Sequence, residues 1–290
     1  MIRILGTIFA GLLGLAFGSF LNVCLSRWPE GESVVQPRSH CRQCGRTLAW
    51  WENMPLVSWL ALRARCRTCH AWIGWRYPLV ELTVGALWAA VAWDILNLIF
   101  LPDAPTVDIA LADAIGKMIF YWLLVALAVL DAENLWLPNW ITLPGAAIGF
   151  FFAVFLGPLD DSWWSWGYTA ILSAQCDLLS IFIAAGLILL IRWAYWLIRR
   201  REGIGLGDAK LMAMLAAWLG LPGALLAFGL GMVLGALAAV VLLVVPTARR
   251  GSETWALSKL PLGTFLCIGG IVSSLWGQPM IAAYLRWAGV

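Results

Sequence analysis

Apolar runs long enough to cross a bilayer recur along almost the whole chain, and they constrain its fold more than any other feature. They lie near 2–25, 78–101, 110–130, 137–157, 178–198, 211–221, 223–245 and 263–285. A spanning helix takes about 20 mostly apolar residues. Backbone in hydrocarbon has to satisfy its own hydrogen bonds, so each run is expected as a helix. Composition agrees, with 62% hydrophobic and only 12% charged residues, where soluble domains carry about a quarter charged. Twenty tryptophans suit many membrane–water boundaries. The first run exceeds the roughly 7–15 apolar residues of a signal sequence and is expected as a retained span. The sixth is short and ends at Pro222 and Gly223, so it reads as a short crossing or a re-entrant piece. The stretch 162–176, with Trp163, Trp164 and Trp166, reads as an interfacial approach to the fifth span, and no internal repeat is evident. The expected fold is an all-α polytopic membrane protein of about eight (or seven) transmembrane helices, with a small zinc-ribbon-like module between the first two.

Charge orients these helices. With eight spans and an outer amino terminus, the inner segments are 26–77, 131–136, 199–210 and 246–262. With Arg192 they hold 16 of the 19 lysines and arginines, leaving Arg3, Lys117 and Arg286. The outer loops carry Asp103, Asp108, Asp160 and Asp161. This positive-inside pattern puts the segment 26–77 and both Asp131 and Asp208 at the cytoplasmic face. The basic residues beside the membrane suit anionic lipid, and no nucleic-acid partner is expected.

The segment 26–77 contains Cys41 and Cys44, then Cys66 and Cys69, with 21 residues between the pairs. Each CxxC turn sets two thiolates on one side of a tight loop, and two such turns can close a tetrahedral shell around zinc. Arg42, Arg65 and Arg67 ease thiol ionisation. Disulfides are the competing reading, but they are rare on a reducing cytoplasmic side; a redox pair is a third. A closed four-sulfur site would be structural. His40 and His70 adjoin the cysteines as neighbours. Cys24, Cys176 and Cys267 read as small apolar packing residues. Glu52 and Asn53, between the pairs, are candidates for recognising an amino group or a cofactor, or form a turn of the module.

Asp131 closes one apolar run, and Asp208 opens another after Gly203, Gly205 and Gly207. Glycines allow a tight turn and a close approach there. Singly, each carboxylate reads as a helix-terminal residue, Asp208 favoured by the helix dipole and paired with Lys210. Together on one membrane face they can act as a pair. Two adjacent carboxylates do not both ionise cheaply, so one keeps a proton. The ionised member draws a proton from water while its partner donates to a scissile carbonyl.

These residues resemble a known family. Gly205, Gly207 and Asp208 are similar to the signature of GxGD-type aspartic peptidases. The whole chain resembles the bacterial type IV prepilin leader peptidases, which are also prepilin N-methyltransferases. The resemblance runs through Gly18 and Asn22, Arg27 to Pro29, Pro37 to Cys44, Trp51 to Trp59, Arg65 to Cys69, Trp75 to Glu81, Asp131, Asp208 and Pro261 to Gly263. It implies an inner-membrane enzyme that removes the basic leader of type IV prepilins or type II secretion pseudopilins at the cytoplasmic boundary. It then methylates the new amino terminus with S-adenosylmethionine. Carried over by residue, Asp131 and Asp208 are the catalytic pair, and Cys41, Cys44, Cys66 and Cys69 the zinc tetrad. Residues 1–25 are then the first span, 26–77 the cysteine module linked to methyl transfer, and 78–290 the peptidase domain. Asn139 departs from the pattern, since many members carry an aspartate there; this favours Asp131, with Glu133 as a lesser substitute. Two alternatives stand beside this reading: a peptidase without methyl transfer, and a transporter or scaffold with a zinc-stapled cap.

Overall fold

The computed structural model describes residues 1–101, 106–156, 163–201, 205–244 and 260–289, without the side chains of 156–173 and 243. Asp103, Asp160, Asp161, Gly203, the side chains of Trp163, Trp164 and Trp166, and the inner segment from 246 to 259 lie outside it. The described residues are helical apart from turns and two isolated β-bridges. The helices are α1 (Ile2–Arg27), α2 (Val57–Ala61), α3 (Arg76–Leu98), α4 (Val107–Asn134), α5 (Asn139–Leu156), α6 (Trp163–Arg199), α7 (Leu206–Val244) and α8 (Leu262–Ala288). Six of them are long and apolar enough to cross a membrane, and α5 is shorter. The chain is a polytopic membrane protein. It forms two compact units, Met1–Ala126 and Leu127–Val290.

In the first unit α1 packs on α3. Lipid offers no hydrophobic drive for this, so small residues carry the close contact. A Cβ on Gly18 would stand 2.7 Å from Glu81 Cα. That approach brings Asn22, one turn further along α1, to the Tyr77 carbonyl at 2.9 Å. Trp122 of α4 donates to the Phe17 carbonyl and Trp88 of α3 to that of Met118, tying α4 to both.

In the second unit α7 breaks at Gly220, whose φ of 66° and ψ of 176° lie outside the helical region. Before the break, Gly207 touches Leu137 and the Trp218 indole donates to the Gly145 carbonyl at 2.8 Å, so this half runs parallel to α5. After it, Gly223 meets Ser273, Ala227 meets Gly269 and Gly231 meets Leu266, so this half runs antiparallel to α8. Both α5 and α8 start beside Asp131. The chain therefore reverses at Gly220, and the expected runs 211–221 and 223–245 are the arms of a helical hairpin. Its first arm is roughly 21 Å long at 1.5 Å per residue. Two boundaries differ from the sequence reading. Helix α4 continues past Leu130 to Asn134, so Asp131 sits within its last turn and not just beyond its end. The stretch from Trp163 is helical and continuous with the fifth span.

Candidate active site and candidate metal centre

Asp131 and Asp208 both lie in the second unit and are buried, at 6% and 8% exposure. Asp131 reaches the start of α8, where the first N–H groups have no partner inside the helix. The cap residue Pro261 has no side chain able to accept them, and Asp131 takes that place from another helix. Its Oδ2 accepts the Thr264 N–H at 2.7 Å, and the Thr264 hydroxyl lies 3.3 Å away while also facing the Ala128 carbonyl at 2.9 Å. A Cβ on Gly263 would stand 2.9 Å from Asp131 Oδ2, so a side chain here would push the carboxylate from its place.

Asp208 is the third residue of α7, and its Oδ2 accepts the Gly205 N–H at 3.1 Å, the backward reach of a capping carboxylate. Thus each aspartate is fixed through one oxygen to a helix start, Asp208 to its own and Asp131 to a neighbour's. The two carboxylates are near enough to interact electrostatically. Leu137 packs between their supports, against Gly207 and Gly263 alike.

Three sequence expectations change here. Of the two uses expected of Gly205 and Gly207, a tight turn and a close approach, the first needs no positive φ at either. Gly207 is needed for space, because its Cβ would stand 3.0 Å from Leu137 Cβ. Lys210 was read as the partner of Asp208. Its ammonium instead donates to Asn139 Oδ1 at 2.6 Å, and among the described residues it makes no ion pair with Asp208. Cys176 is exposed on α6, unlike the buried Cys24 and Cys267. Thr264 was missed altogether. Its signal was a hydroxyl residue at the third position of a helix opened by proline and glycine. Glu133 lies on the exposed surface of the same turn as Asp131.

The cysteine module lies in the first unit. Its four Sγ atoms are all within 4.8 Å of one another, with Cys41 and Cys69 3.7 Å apart and none in a disulfide. A tetrahedron with Zn–S bonds of about 2.3 Å has edges near 3.8 Å, so the donor set and spacing fit zinc. His40 and His70 are not part of the cluster. Two knuckles of one design build it, which corrects the expectation of no internal repeat. Cys41 N–H bonds to the Arg46 carbonyl and Gly45 N–H to the Cys41 carbonyl; Cys66 N–H bonds to Ala71 and His70 N–H to Cys66 in the same way. Gly45 and His70 share a positive φ, and the bridges His40–Thr47 and Arg65–Trp72 close the two turns. The backbone amides of Cys69 and Thr68 pull the Cys66 thiol down to about 6, which favours a thiolate ligand.

Glu52 is buried between the knuckles. Arg46 binds both its oxygens, at 2.6 and 3.0 Å, and the Ala49 N–H adds a third bond at 2.7 Å. The Arg46 guanidinium holds this carboxyl below its usual range. Asn53 is exposed beside it.

Known proteins match both parts of the chain. Residues 12–95 match the family model of the bacterial peptidase A24 N-terminal domain, and 118–240 that of the type IV leader peptidase family. The prepilin leader peptidase/N-methyltransferase of Pseudomonas aeruginosa is 34% identical, over 96% of this chain and 93% of its own length. That of Stutzerimonas stutzeri is 32% identical over the same shares. The Myxococcus xanthus protein of that name is 36% identical over 88% of this chain and 68% of its own. No solved structure matches. The chain belongs to the type IV leader peptidase family.

Proposed function

We propose that this protein removes the basic leader from type IV prepilins or type II secretion pseudopilins and then methylates the new amino terminus with S-adenosylmethionine. The observation that carries the peptidase half is the pair Asp131 and Asp208, buried in one unit and each fixed through Oδ2 to a helix start. Fixed carboxylates need little reorganisation in the transition state. One keeps a proton, because two charges so placed repel. The ionised member takes a proton from water as it attacks the scissile carbonyl, and the protonated member donates to the carbonyl oxygen. Collapse of the tetrahedral intermediate returns a proton to the leaving amine. The relatives' shared name supports both activities.

In this reading the dyad and the cysteine module face the cytoplasm of a bacterial inner membrane, and the two arms of α7 are separate crossings, which gives eight. Residues 26–77 serve methyl transfer and 78–290 peptide cleavage. Cys41, Cys44, Cys66 and Cys69 hold a structural zinc, which fixes the two knuckles against each other. S-adenosylmethionine supplies an electrophilic methyl group, and Glu52, already bound by Arg46 and Ala49, serves the module's fold rather than a ligand. Substrate stems pack among lipid and helices.

The test is cleavage of purified prepilin in detergent by wild type, Asp131→Asn and Asp208→Asn, read by mass at the new amino terminus. Loss of cleavage in both folded variants supports the dyad. Retained cleavage in either one sinks it.

A further inference from the structure

A cavity of about 520 Å³ lies in the first unit, between the cysteine module and the ends of α1 and α3. Its membrane end is a floor formed by a buried amide oxygen with no donor and a buried carboxylate with no cation. Asn22 is 2% exposed; its Nδ2 binds the Tyr77 carbonyl, while its buried Oδ1 has no partner. Glu81, 6% exposed, accepts the Leu56 N–H at 2.8 Å through Oε2, and the Ser19 and Asn22 side chains also reach its carboxylate as neutral partners. Among the described residues no cation pairs with Glu81. The arginines that line the cavity are committed elsewhere. Arg27 binds the Ser33 and Pro37 carbonyls, Arg42 binds Glu30, Arg46 binds Glu52, and Arg67 lies over the Trp51 ring. A buried carboxylate without a counter-charge and a buried amide oxygen without a donor are costly.

Such a floor repels anions and suits a compact cation with several N–H donors. Its depth narrows the choice. Asn22 and Glu81 lie just inside two membrane helices, where an amino group at the end of an apolar stem would rest. The carboxylate is also aimed. Leu56 is held at a positive φ of 57°, unfavourable for its side chain, and that turn points its N–H at Glu81.

We propose that Glu81 is a catalytic residue of methyl transfer, which with Asn22 receives the free α-amino group of the cleaved pilin at the floor of this cavity. The proposal rests on the methyltransferase half of the function above. The bound ammonium passes one proton to the Glu81 carboxylate. The freed nitrogen lone pair forms the N–C bond to the methyl carbon of the methylsulfonium donor, and the electrons of the breaking C–S bond return to sulfur. The products are the N-methylammonium, a neutral thioether and a protonated Glu81 that returns its proton to solvent.

The test uses the full-length protein in detergent and a mature pilin stem peptide, with its amino terminus free or acetylated. Wild type is expected to bind the free form at least about tenfold more tightly, and Glu81→Gln to abolish that preference. Glu81→Gln should cleave prepilin at about the wild-type rate and methylate it at least about 30-fold more slowly, with Glu81→Asp recovering part of the loss. Unchanged methylation or an unchanged amine preference in Glu81→Gln overturns the role. So does a joint loss of cleavage and methylation, which would mark Glu81 as a fold residue. Methylation absent from wild type itself overturns the two-activity reading, and this role with it.

Discussion

Thr264 donates its backbone N–H to Asp131 at 2.7 Å, so a carboxylate on α4 is held by the first turn of α8. This joins residues 133 positions apart, and Gly263 makes it possible by leaving room for the carboxylate. Gly263→Ala would drive a Cβ to 2.9 Å from Asp131 Oδ2, Gly207→Ala to 3.0 Å from Leu137, and Gly205→Ala to 3.3 Å from Asp208 Oδ2. Overpacking costs about 1–3 kcal/mol, or roughly 5- to 150-fold if it falls wholly on the transition state. Cleavage rates are expected to fall in the order Gly263→Ala, Gly207→Ala, Gly205→Ala, the first most. An equal effect at all three sites would contradict the geometry.

Lys210 gives its ammonium to Asn139, not to Asp208. Lys210→Met should therefore leave the acid limb of the cleavage profile in place. Asn139→Asp should change the rate by less than about fivefold, since it adds only an exposed ion pair worth about 0–1 kcal/mol. A displaced acid limb in Lys210→Met would show that the lysine acts on the dyad.

The sequence carried the membrane class, the paired aspartates and the cysteine tetrad, because each leaves a local mark: a long apolar run, or a charged or sulfur residue at short spacing. Thr264 and Leu137 left none, since their work depends on helices brought together from distant parts of the chain. The reversal in α7 was half legible. Pro222 and Gly223 mark an interruption, but the φ that turns the chain belongs to Gly220, and only the order of contacts with α5 and α8 gives the direction of the second arm. The repeated knuckle was hidden for another reason. His70 occupies the left-handed position that Gly45 takes in the first copy, so the two strings look unalike where their backbones agree.

The pair Arg46 and Glu52 should set part of the module's acid stability. Glu52 is buried while Arg46 reaches solvent, so Glu52→Ala is expected to destabilise the protein by less than the loss of one member of a fully buried pair. Arg46 lowers the folded-state value of Glu52. Its stabilisation is then complete above the ordinary glutamate value of about 4.3 and fades as pH falls through the depressed value. Denaturation of wild type and variant should show a constant gap down to about pH 4 that narrows below it. A gap that widens on acidification would reverse the sign.

Zinc removal should separate the two activities. One zinc per chain is expected by elemental analysis, lost on chelation and in Cys41→Ser with Cys66→Ser. In the proposed two-aspartate mechanism cleavage needs no metal, so it should persist within about twofold while methylation falls with the module's fold. Cleavage that stops on chelation and returns with zinc would require a metal-dependent peptidase step and would contradict the two-aspartate mechanism.

The reversal at Gly220 fixes where the two ends of α7 lie. The arm after Gly220 returns along α8 toward the end that holds Asp131, so Arg201 and Val244 should face the same side of the membrane. Cysteines placed at these positions, in a chain whose exposed native cysteines are masked, are expected to react with an impermeant thiol reagent only from the cytoplasmic side. Gly220→Ala should lower stability by about 1–3 kcal/mol, because a Cβ disfavours that backbone conformation. Labelling of the two sites from opposite sides would mean that α7 crosses once as a kinked helix, and the order of its contacts with α8 argues against that.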